Sequence, residues 1–482
     1  MNDRPISRRT AIILGALGAA GATTGWLAAS RVFGTVDEFR PETDAELHEP
    51  LVLDSDRGLL SVELVAAAGA TLAGRTTQAL GFNGTTPGPT LRVRPGDEIA
   101  LRLTNRLQHP TNLHTHGLRV SPEGNGDNPF LRIDPGASFD YRYRVPHDHP
   151  PGTHWYHPHH HGTVADQVFG GLIGALVVDG GDDLDVGRDR ILLVSDIDLD
   201  ADGRVSPVTT ADRMNGREGE LVLVNGQHQP TIPAVPGESQ RWRIVNCCTS
   251  RVLAIDLDGH QLVQVALDGS FLPTPLPRDQ VLLAPGNRAD VVVRPAALGR
   301  HALTATPVDR GGMGAMMGGR AATDAVITLA TMVTDGPVVT SPALPSRLPG
   351  ESASGAAVTR TRRIRFQGGM GAGGMAFTID GRLFDPTRDD HTIPLGTTEE
   401  WTIVNSSPMA HPFHLHVWPF TVLATGDGAA TTGVAQDVVL VPARSWVRLR
   451  IPFTDIAGRT VFHCHVLDHE DAGMMATVNV HR

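Results

Sequence analysis

Residues 83–105, "NGTTPGPTLRVRPGDEIALRLTN", contain a turn glycine, Gly96, that is followed nine residues later by an asparagine, Asn105. Between these two residues apolar and polar side chains alternate, as at Ile99 and Leu101. An alternation with a period of two is typical of a β-strand that buries one of its faces. The stretch therefore predicts a tight turn that leads into a half-buried strand.

This turn-and-strand pattern occurs three times in the chain. The two further copies are residues 225–246, with Gly237 and Asn246, and residues 380–405, with Gly396 and Asn405. A second turn glycine that leads into another strand follows each copy, at Gly152, Gly299 and Gly458. Short strands separated by turns, without a helical period, are typical of β-sandwiches. We therefore predict an all-β chain of three similar sandwiches in tandem.

The predicted sandwich domains occupy roughly residues 45–180, 190–335 and 360–482. The length of 482 residues agrees with three domains at ~150 residues each. Residues 336–359 are rich in Pro, Ser and Gly, and this composition predicts a linker between the second and third domains.

The N-terminal segment, residues 1–30, is typical of a twin-arginine signal peptide. Arg8 and Arg9 precede a weakly hydrophobic run that is rich in Ala and Gly. Small residues at the end of this run favour cleavage, and an uncleaved membrane anchor is the alternative. We expect export by the twin-arginine machinery to the periplasm, the cell surface or the medium. The formal charge of -11 argues against nucleic acid as a partner, and we expect a monomer.

Histidines occupy equivalent positions in the first and third repeats. Counted from the repeat asparagines and from the second turn glycines, they form four His-x-His pairs. The pairs are His114 and His116, His157 and His159, His414 and His416, and His463 and His465. The middle repeat has Ile255, Leu257, Thr304 and Thr306 at these offsets. The simplest geometry has the first and third repeats facing each other across a shared site, with the middle repeat as a spacer.

Residues two apart in a strand lie on the same face at ~6.6 Å, which suits ligands to two neighbouring ions better than chelation of one ion. The four pairs together offer eight imidazoles, enough for a cluster of three ions. Sites built of imidazole alone suit copper best, with zinc, iron and nickel as alternatives.

Cys464 indicates a second kind of metal site. It lies between His463 and His465, so its side chain points to the opposite face of the strand. Its expected partners are His411, His469 and Met474. Two imidazoles, a thiolate and a weak axial thioether form the blue-copper electron-transfer set. The main chain from Cys464 to His463 and His465 would be a short covalent path for electrons between the two sites. Four coppers joined in this way could reduce dioxygen to two waters, so the pattern predicts an oxidase.

Four motifs resemble those of the three-domain multicopper oxidases, namely laccases, spore-coat laccase-like enzymes and periplasmic cuprous oxidases. The motifs are "HTHG", "HWYHPHHHG", "HPFHLH" and "HCHVLDHEDAGMM". The resemblance implies cupredoxin-like Greek-key domains and four copper ions. It places the type 1 copper on His411, Cys464, His469 and Met474, the type 2 copper on His114 and His414, and the type 3 pair on His116, His157, His159, His416, His463 and His465. It also implies that His469 presents its ring edge to the substrate.

Two acids resemble the proton-delivering carboxylates of this family. Glu470 directly follows His469, and Asp127 lies shortly after the first motif. Reduction of dioxygen consumes protons, so we expect carboxylates near the cluster. The alternative for each is an acid on the surface or in a loop.

The resemblance implies a laccase-like enzyme that oxidises phenols, aromatic amines or metal ions. A cuprous oxidase for copper tolerance is the alternative, because thioethers bind Cu(I) and two Gly-rich loops contain methionines. These residues are Met313, Met316, Met317, Met370 and Met375. A copper-storage protein without turnover is the alternative from another class.

Other reactive side chains are assigned less specific roles. His160 and His161 are expected near the ligands or in solvent, and His147 and His149 in a loop. Cys247 and Cys248 are expected to be buried strand thiols, because they have no metal-binding partners nearby in the sequence.

Overall fold

The computed structural model describes residues 39–180, 184–312, 325–350, 356–371 and 374–482. The predicted signal peptide and three loop methionines, Met313, Met316 and Met317, lie outside the described residues, as do the side chains of Met370 and Met375. None of the helices in the described part of the chain combines the length and the apolar character that a membrane crossing needs.

The first third of the chain forms two facing sheets and a small two-stranded sheet. Its strands are β1 (Val52–Asp54), β2 (Leu59–Ala68), β3 (Thr71–Leu72), β4 (Arg75–Thr76), β5 (Leu80–Phe82), β6 (Thr90–Val93), β7 (Glu98–Asn105), β8 (His114–His116), β9 (Ser138–Arg144), β10 (Gly152–His157) and β11 (Gly174–Val178). The strand orders are β1-β6-β11-β10-β8, β5-β2-β7-β9 and β3-β4. A buried core that includes Leu64 and Leu101 fills the space between the two larger sheets.

The middle third repeats this architecture. Its strands are β12 (Arg188–Ile197), β13 (Leu221–Val224), β14 (Thr231–Ala234), β15 (Gln240–Asn246), β16 (Leu253–Leu257), β17 (Leu262–Leu267), β18 (Ser270–Arg278), β19 (Val281–Leu283), β20 (Arg288–Val293), β21 (Gly299–Thr306) and β22 (Ile327–Thr334). They pair in the orders β13-β12-β15-β20-β17-β18 and β14-β22-β21-β16-β19. Leu47, which precedes β1, lies in the core of this domain, and the neighbouring Glu46 pairs with Thr231.

The last third forms the third sandwich. Its strands are β23 (Arg360–Gly371), β24 (Gly374–Ile379), β25 (His391–Pro394), β26 (Thr397–Asn405), β27 (His411–Leu415), β28 (Phe420–Thr425), β29 (Ala435–Gln436), β30 (Val438–Val441), β31 (Trp446–Phe453), β32 (Gly458–Cys464) and β33 (Met475–His481). They pair in the orders β24-β23-β26-β31-β28-β29 and β25-β33-β32-β27-β30. The all-β prediction of three tandem sandwiches is therefore confirmed.

Three short helices occur in the described residues, and they lie near the contacts between domains. They are α1 (Val164–Phe169), α2 (Thr210–Asn215) and α3 (Leu467–Asp471). A buried apolar cluster joins all three domains through Trp155, Val245 and Leu467. The described part of the predicted linker also packs on the middle domain, where Leu348 is buried.

The repeated asparagine has the same structural role in each domain. It ends the strand that lies between one parallel and one antiparallel neighbour, namely β7, β15 or β26. Asn105 Nδ2 donates to the carbonyls of His109 and Ile133 at 2.9 and 2.8 Å, and its Oδ1 accepts from Leu107 N. Asn246 and Asn405 make equivalent bonds. These bonds fix the loop that leads into the next strand, which in the first and third domains carries histidines.

Candidate metal centre

The strand register places the histidine pairs of each domain side by side. In the first domain β8 and β10 are antiparallel, with His114 opposite His157. In the third domain β27 and β32 are antiparallel, with His414 opposite His463. The second member of three of the pairs lies just beyond the end of its strand, as at His159. Each domain therefore supplies half of a histidine cluster from the ends of two neighbouring strands.

The two halves meet across the contact between the first and third domains. His114 Nε2 lies 3.4 Å from His414 Nε2. The rings of His114 and His416 stack at 3.9 Å between centroids, as do those of His116 and His414. All eight histidines of the four predicted pairs are buried. The structure thus brings the four pairs together in one enclosed space.

Six of these histidines form two groups of three. The Nε2 atoms of His159, His416 and His463 lie 3.1 to 3.2 Å from one another. The rings of the other group have centroids 5.1 to 5.8 Å apart, and its members are His116, His157 and His465. His116 Nδ1, His157 Nε2 and His465 Nε2 have no hydrogen-bond partner although they are buried. Buried ring nitrogens without partners fit a metal ion, since they retain a free lone pair.

Hydrogen bonds to the opposite ring nitrogen orient several of these rings. The Nδ1–H groups of His157, His414 and His463 donate to main-chain carbonyls at 2.8 to 3.0 Å. Their Nε2 atoms are then left as acceptors, which is the form that binds a metal. Burial is the main cause that lowers the pKa of His157 to about 3 and that of His463 to about 4. The imidazoles are therefore neutral at physiological pH.

Cys464 lies on the other side of its strand, where it faces two further histidines. Its Sγ is 3.3 Å from His411 Nδ1 and 3.9 Å from His469 Nδ1, and these two nitrogens are 3.3 Å apart. The Nε2–H of His411 donates to Ser407 Oγ at 2.7 Å, so Nδ1 is free to act as a ligand. Met474 is fully buried in the same core, and its carbonyl accepts from Cys464 N. Two imidazoles and a thiol at these distances fit one small soft metal ion.

The edge of the His469 ring is covered, contrary to the expectation that it faces the substrate. His469 is 0% exposed, and its Nε2–H donates to the carbonyl of Met214 in α2 at 3.2 Å. Phe377 stacks on one face of the ring at 3.8 Å between centroids. A shallow pocket lies beside His411, and Met214, Phe377 and Met409 are among its lining residues.

The two predicted acids lie beside the cluster in different settings. The Glu470 carboxylate lies 3.7 Å from His159 Nε2 and 3.6 Å from His463 Nδ1, and neither oxygen has a hydrogen-bond partner. Burial raises the pKa of Glu470 well above its usual value. Asp127 accepts from His114 Nδ1 and from Thr115 N, both at 2.8 Å, and burial raises its pKa to about 7.

Two residues at the cluster were missed by the sequence reasoning. Asp437 contacts His116 at 3.0 Å, and Arg288 of the middle domain pairs with Asp437 at 2.6 Å. Neither residue belongs to a histidine motif, and the repeat pattern predicts only a spacer role for the middle domain. The sequence gives no local signal for either one, because their role depends on how the domains pack.

The remaining predicted side chains differ in their burial and hydrogen bonding. His160 and His161 are half-buried, and His147 is exposed. His149 is buried in a loop, where its Nε2 accepts from Arg119 N at 3.0 Å and its Nδ1 bonds to Pro150 O. Cys247 and Cys248 are buried free thiols, as expected, but they follow the end of β15 rather than lying within a strand.

Family models described as multicopper oxidase match residues 65–183, 194–337 and 357–482, which together span most of the chain. The chain therefore belongs to the multicopper oxidase family, whose metal is copper, and it is an oxidoreductase. It is 28% identical to multicopper oxidase mco of Staphylococcus aureus over 90% of this chain and 92% of that protein. It is 26% identical to a laccase of Bacillus subtilis over 84% of this chain and 90% of that protein.

A solved structure described as a multicopper oxidase from Campylobacter jejuni, "a metallo-oxidase", has the same fold. It superimposes with a TM-score of 0.82 at 28% identity, over 93% of this chain and 98% of that chain. The similarity thus extends over nearly the whole described molecule.

Proposed function

We propose that this protein removes single electrons from a small donor at the Cys464 group and uses them to reduce dioxygen to water at the eight-histidine cluster. The observation that carries the proposal is the sequence His463-Cys464-His465. Its thiol belongs to one group of ligands and its two imidazoles belong to the other. A few covalent bonds therefore link the two sites and offer a short path for an electron.

The proposed copper ligands fall into four sets. The type 1 set is His411, Cys464, His469 and Met474, the type 2 set is His114 and His414, and the type 3 sets are His159, His416 and His463 together with His116, His157 and His465. When bound, copper supplies one-electron transfer at the first set and the reduction of dioxygen at the others. The unpartnered ring nitrogens of the cluster support this assignment.

The polypeptide around the cluster would orient ligands and handle protons. Main-chain carbonyls fix the rings of His157, His414 and His463, and so keep their Nε2 lone pairs directed inward. Glu470, whose pKa is raised by burial, would hold a proton at its carboxyl group beside His159 and His463 and donate it as water forms. Asp127 would act on the opposite side, through the Nδ1 of His114.

A cuprous oxidase is the second candidate, and the pocket beside His411 favours it. Met409 and Met214 line this pocket, and thioethers suit Cu(I). The cover over His469 limits the approach of bulky donors, because the Met214 carbonyl and the Phe377 ring already contact its imidazole. Small phenols, aromatic amines and metal ions remain compatible with this pocket.

Copper-loaded protein should be blue, since a thiolate bound to copper absorbs strongly in the visible range. It should also consume dioxygen with Cu(I) or with a simple methoxyphenol as donor. Cys464→Ser, which removes the thiolate, is expected to abolish both the colour and the turnover. A protein that binds copper without consuming dioxygen would instead be a storage protein, and a colourless copper-loaded protein would contradict the type 1 assignment.

We also propose export by the twin-arginine pathway, with residues 1–30 as the signal. The support is Arg8 and Arg9 ahead of an apolar run. Replacement of both arginines by lysine should leave the protein inside the cell, whereas replacement of Arg4 by lysine should not. Export of the double variant at the rate of the unchanged chain would contradict the proposal.

A further inference from the structure

Arg288 of the middle domain lies at the point where all three domains meet. It is 0% exposed, and its two terminal nitrogens each donate to one carboxylate oxygen of Asp437 at 2.6 Å. Its Nε donates to the carbonyl of Thr153 in the first domain, and Nη1 also donates to Gly286 O. A planar guanidinium used in this way fixes both the position and the plane of its partner carboxylate.

The main chain at Asp437 is held by the same domain. Asp268 accepts from the main-chain N–H groups of Asp437 and Val438 at 3.3 and 3.1 Å. Asn287 donates to the carbonyl of Val438 and to both carboxylate oxygens of Asp268. The middle domain thus holds the segment between β29 and β30 by hydrogen bonds to the Asp437 side chain and to the main chain of Asp437 and Val438.

Asp437 in turn contacts one histidine from each of the outer domains. Its Oδ1 accepts from His116 Nε2–H at 3.0 Å, and its main-chain carbonyl accepts from His414 Nδ1–H at 2.9 Å. The bond to His116 occupies Nε2 and leaves Nδ1 without a partner. His157, His414 and His463 have the reverse arrangement, with Nδ1 occupied. The carboxylate therefore determines which nitrogen His116 presents to the cluster.

Gly117 shows how closely these groups are packed. It has a φ of +84°, and an added Cβ would overlap Arg288 Nη2 and lie 2.7 Å from Asp437 Oδ2. A larger residue would have to displace the ion pair, so the residue after His116 must be small and able to adopt a positive φ.

We propose that Arg288 is a positioning residue for the copper cluster. By holding the Asp437 carboxylate, Arg288 sets the tautomer of His116. Together with Asp268 and Asn287, it also fixes the segment whose carbonyl orients His414, so the middle domain builds part of the site that the outer domains share. The inference rests on the proposed function, because it concerns the same cluster. It replaces the view of the middle domain as a spacer.

The test compares Arg288→Met with Arg241→Met after copper loading. Arg241 pairs with Asp290 at 2.6 Å in the same domain, and both side chains are 2% exposed, so this variant controls for the loss of a buried ion pair. Copper per chain, the type 2 electron paramagnetic resonance signal and the visible type 1 absorption are measured. Arg288→Met should bind less copper at the cluster, and its turnover should fall ~10–100-fold. Its type 1 absorption should remain. Arg241→Met should keep all the signals.

Arg288→Lys covers the case in which Arg288→Met does not fold. Lysine retains the charge but not the two parallel hydrogen bonds, so a changed type 2 spectrum is expected. Unchanged cluster copper and type 2 spectra in either folded Arg288 variant, or equal losses in Arg241→Met, would overturn the proposal. A failure of the proposed function itself is distinguishable, because the unchanged chain would then lack the cluster signals.

Discussion

The Nε2 atoms of His114 and His414 lie 3.4 Å apart although 300 residues separate them in the chain. The first belongs to β8 of the first domain and the second to β27 of the third. The contact depends on the packing of two domains, and each residue is positioned by a hydrogen bond within its own surroundings. Replacement of one residue of this pair therefore tests directly whether the two domains share a site.

His414→Ala should remove the type 2 copper while the type 1 site remains. His414 is not a ligand in the proposed type 1 set, so the visible absorption of that site is expected to persist. Oxygen consumption should fall by at least ~100-fold. Loss of a residue that only orients a ligand costs up to about that much, and here a ligand itself is lost. Electron paramagnetic resonance and an oxygen electrode provide the measurements. His160→Ala is the control, and an equal loss there would argue against the assignment.

Met474→Leu should raise the reduction potential of the type 1 copper. A thioether stabilises the oxidised ion more than an alkyl group does, so its removal favours reduction. A redox titration followed at the visible band measures the change. Met332→Leu, in the core of the middle domain, is the control. An unchanged potential would show that Met474 is not the axial ligand.

Glu470→Gln should slow turnover without removing copper. The amide keeps the shape of the side chain but cannot deliver a proton, and the expected loss is ~10²–10⁴-fold. Copper analysis and the steady-state rate of oxygen consumption provide the measurements. Asp471→Asn, next in the chain but hydrogen-bonded to the start of α1, is the comparison. Full activity of Glu470→Gln would rule out its role as the proton donor.

Protonation of His149 should lower the free energy of unfolding at acidic pH. Burial, with Arg119 nearby, lowers its pKa from 6.5 to about 4, so the unfolded chain binds a proton more readily than the folded chain does. The stabilisation is complete above pH 6.5 and is lost as the pH falls through about 4. It amounts to about 3 kcal/mol at 1.36 kcal/mol per pKa unit. Calorimetry of His149→Phe at several pH values should show a weaker dependence on pH, whereas His147→Gln, at an exposed site, should follow the unchanged protein.

Met409→Leu should weaken the oxidation of Cu(I) but not that of a methoxyphenol. Leucine preserves the apolar lining of the pocket and removes the sulfur, which accepts from Arg310 Nη1 at 3.8 Å and is the atom that would bind a soft ion. We expect KM for Cu(I) to rise about tenfold, equivalent to ~1.4 kcal/mol. Steady-state kinetics with both donors provide the measurement. Equal effects on the two donors would favour a general oxidase over the cuprous alternative.

The eight histidines of the cluster could be predicted because strands impose a fixed spacing. The offset from Asn105 or Asn405 is set by the hydrogen bonds with which each asparagine holds the following loop. Cys464 could be assigned to the opposite face by the same argument.

The cover over His469 could not be predicted from the sequence. The main-chain carbonyl of Met214 closes that edge, and any residue type could supply a carbonyl there. The roles of Arg288 and Asp437 could not be predicted either, because their ion pair joins two domains through an interface that has no repeated sequence pattern.

Ligands of both proposed copper sites lie close together in the third domain, in and around β32 and α3. His114 and its neighbours are therefore made long before any of their partners exist, and they remain incomplete until the third domain folds against the first. Under the proposed function, a fragment that ends before Cys464 is expected to be inactive. Copper uptake would thus report that the third domain has folded against the first, and a chain that lacks the third domain would fail to retain the metal.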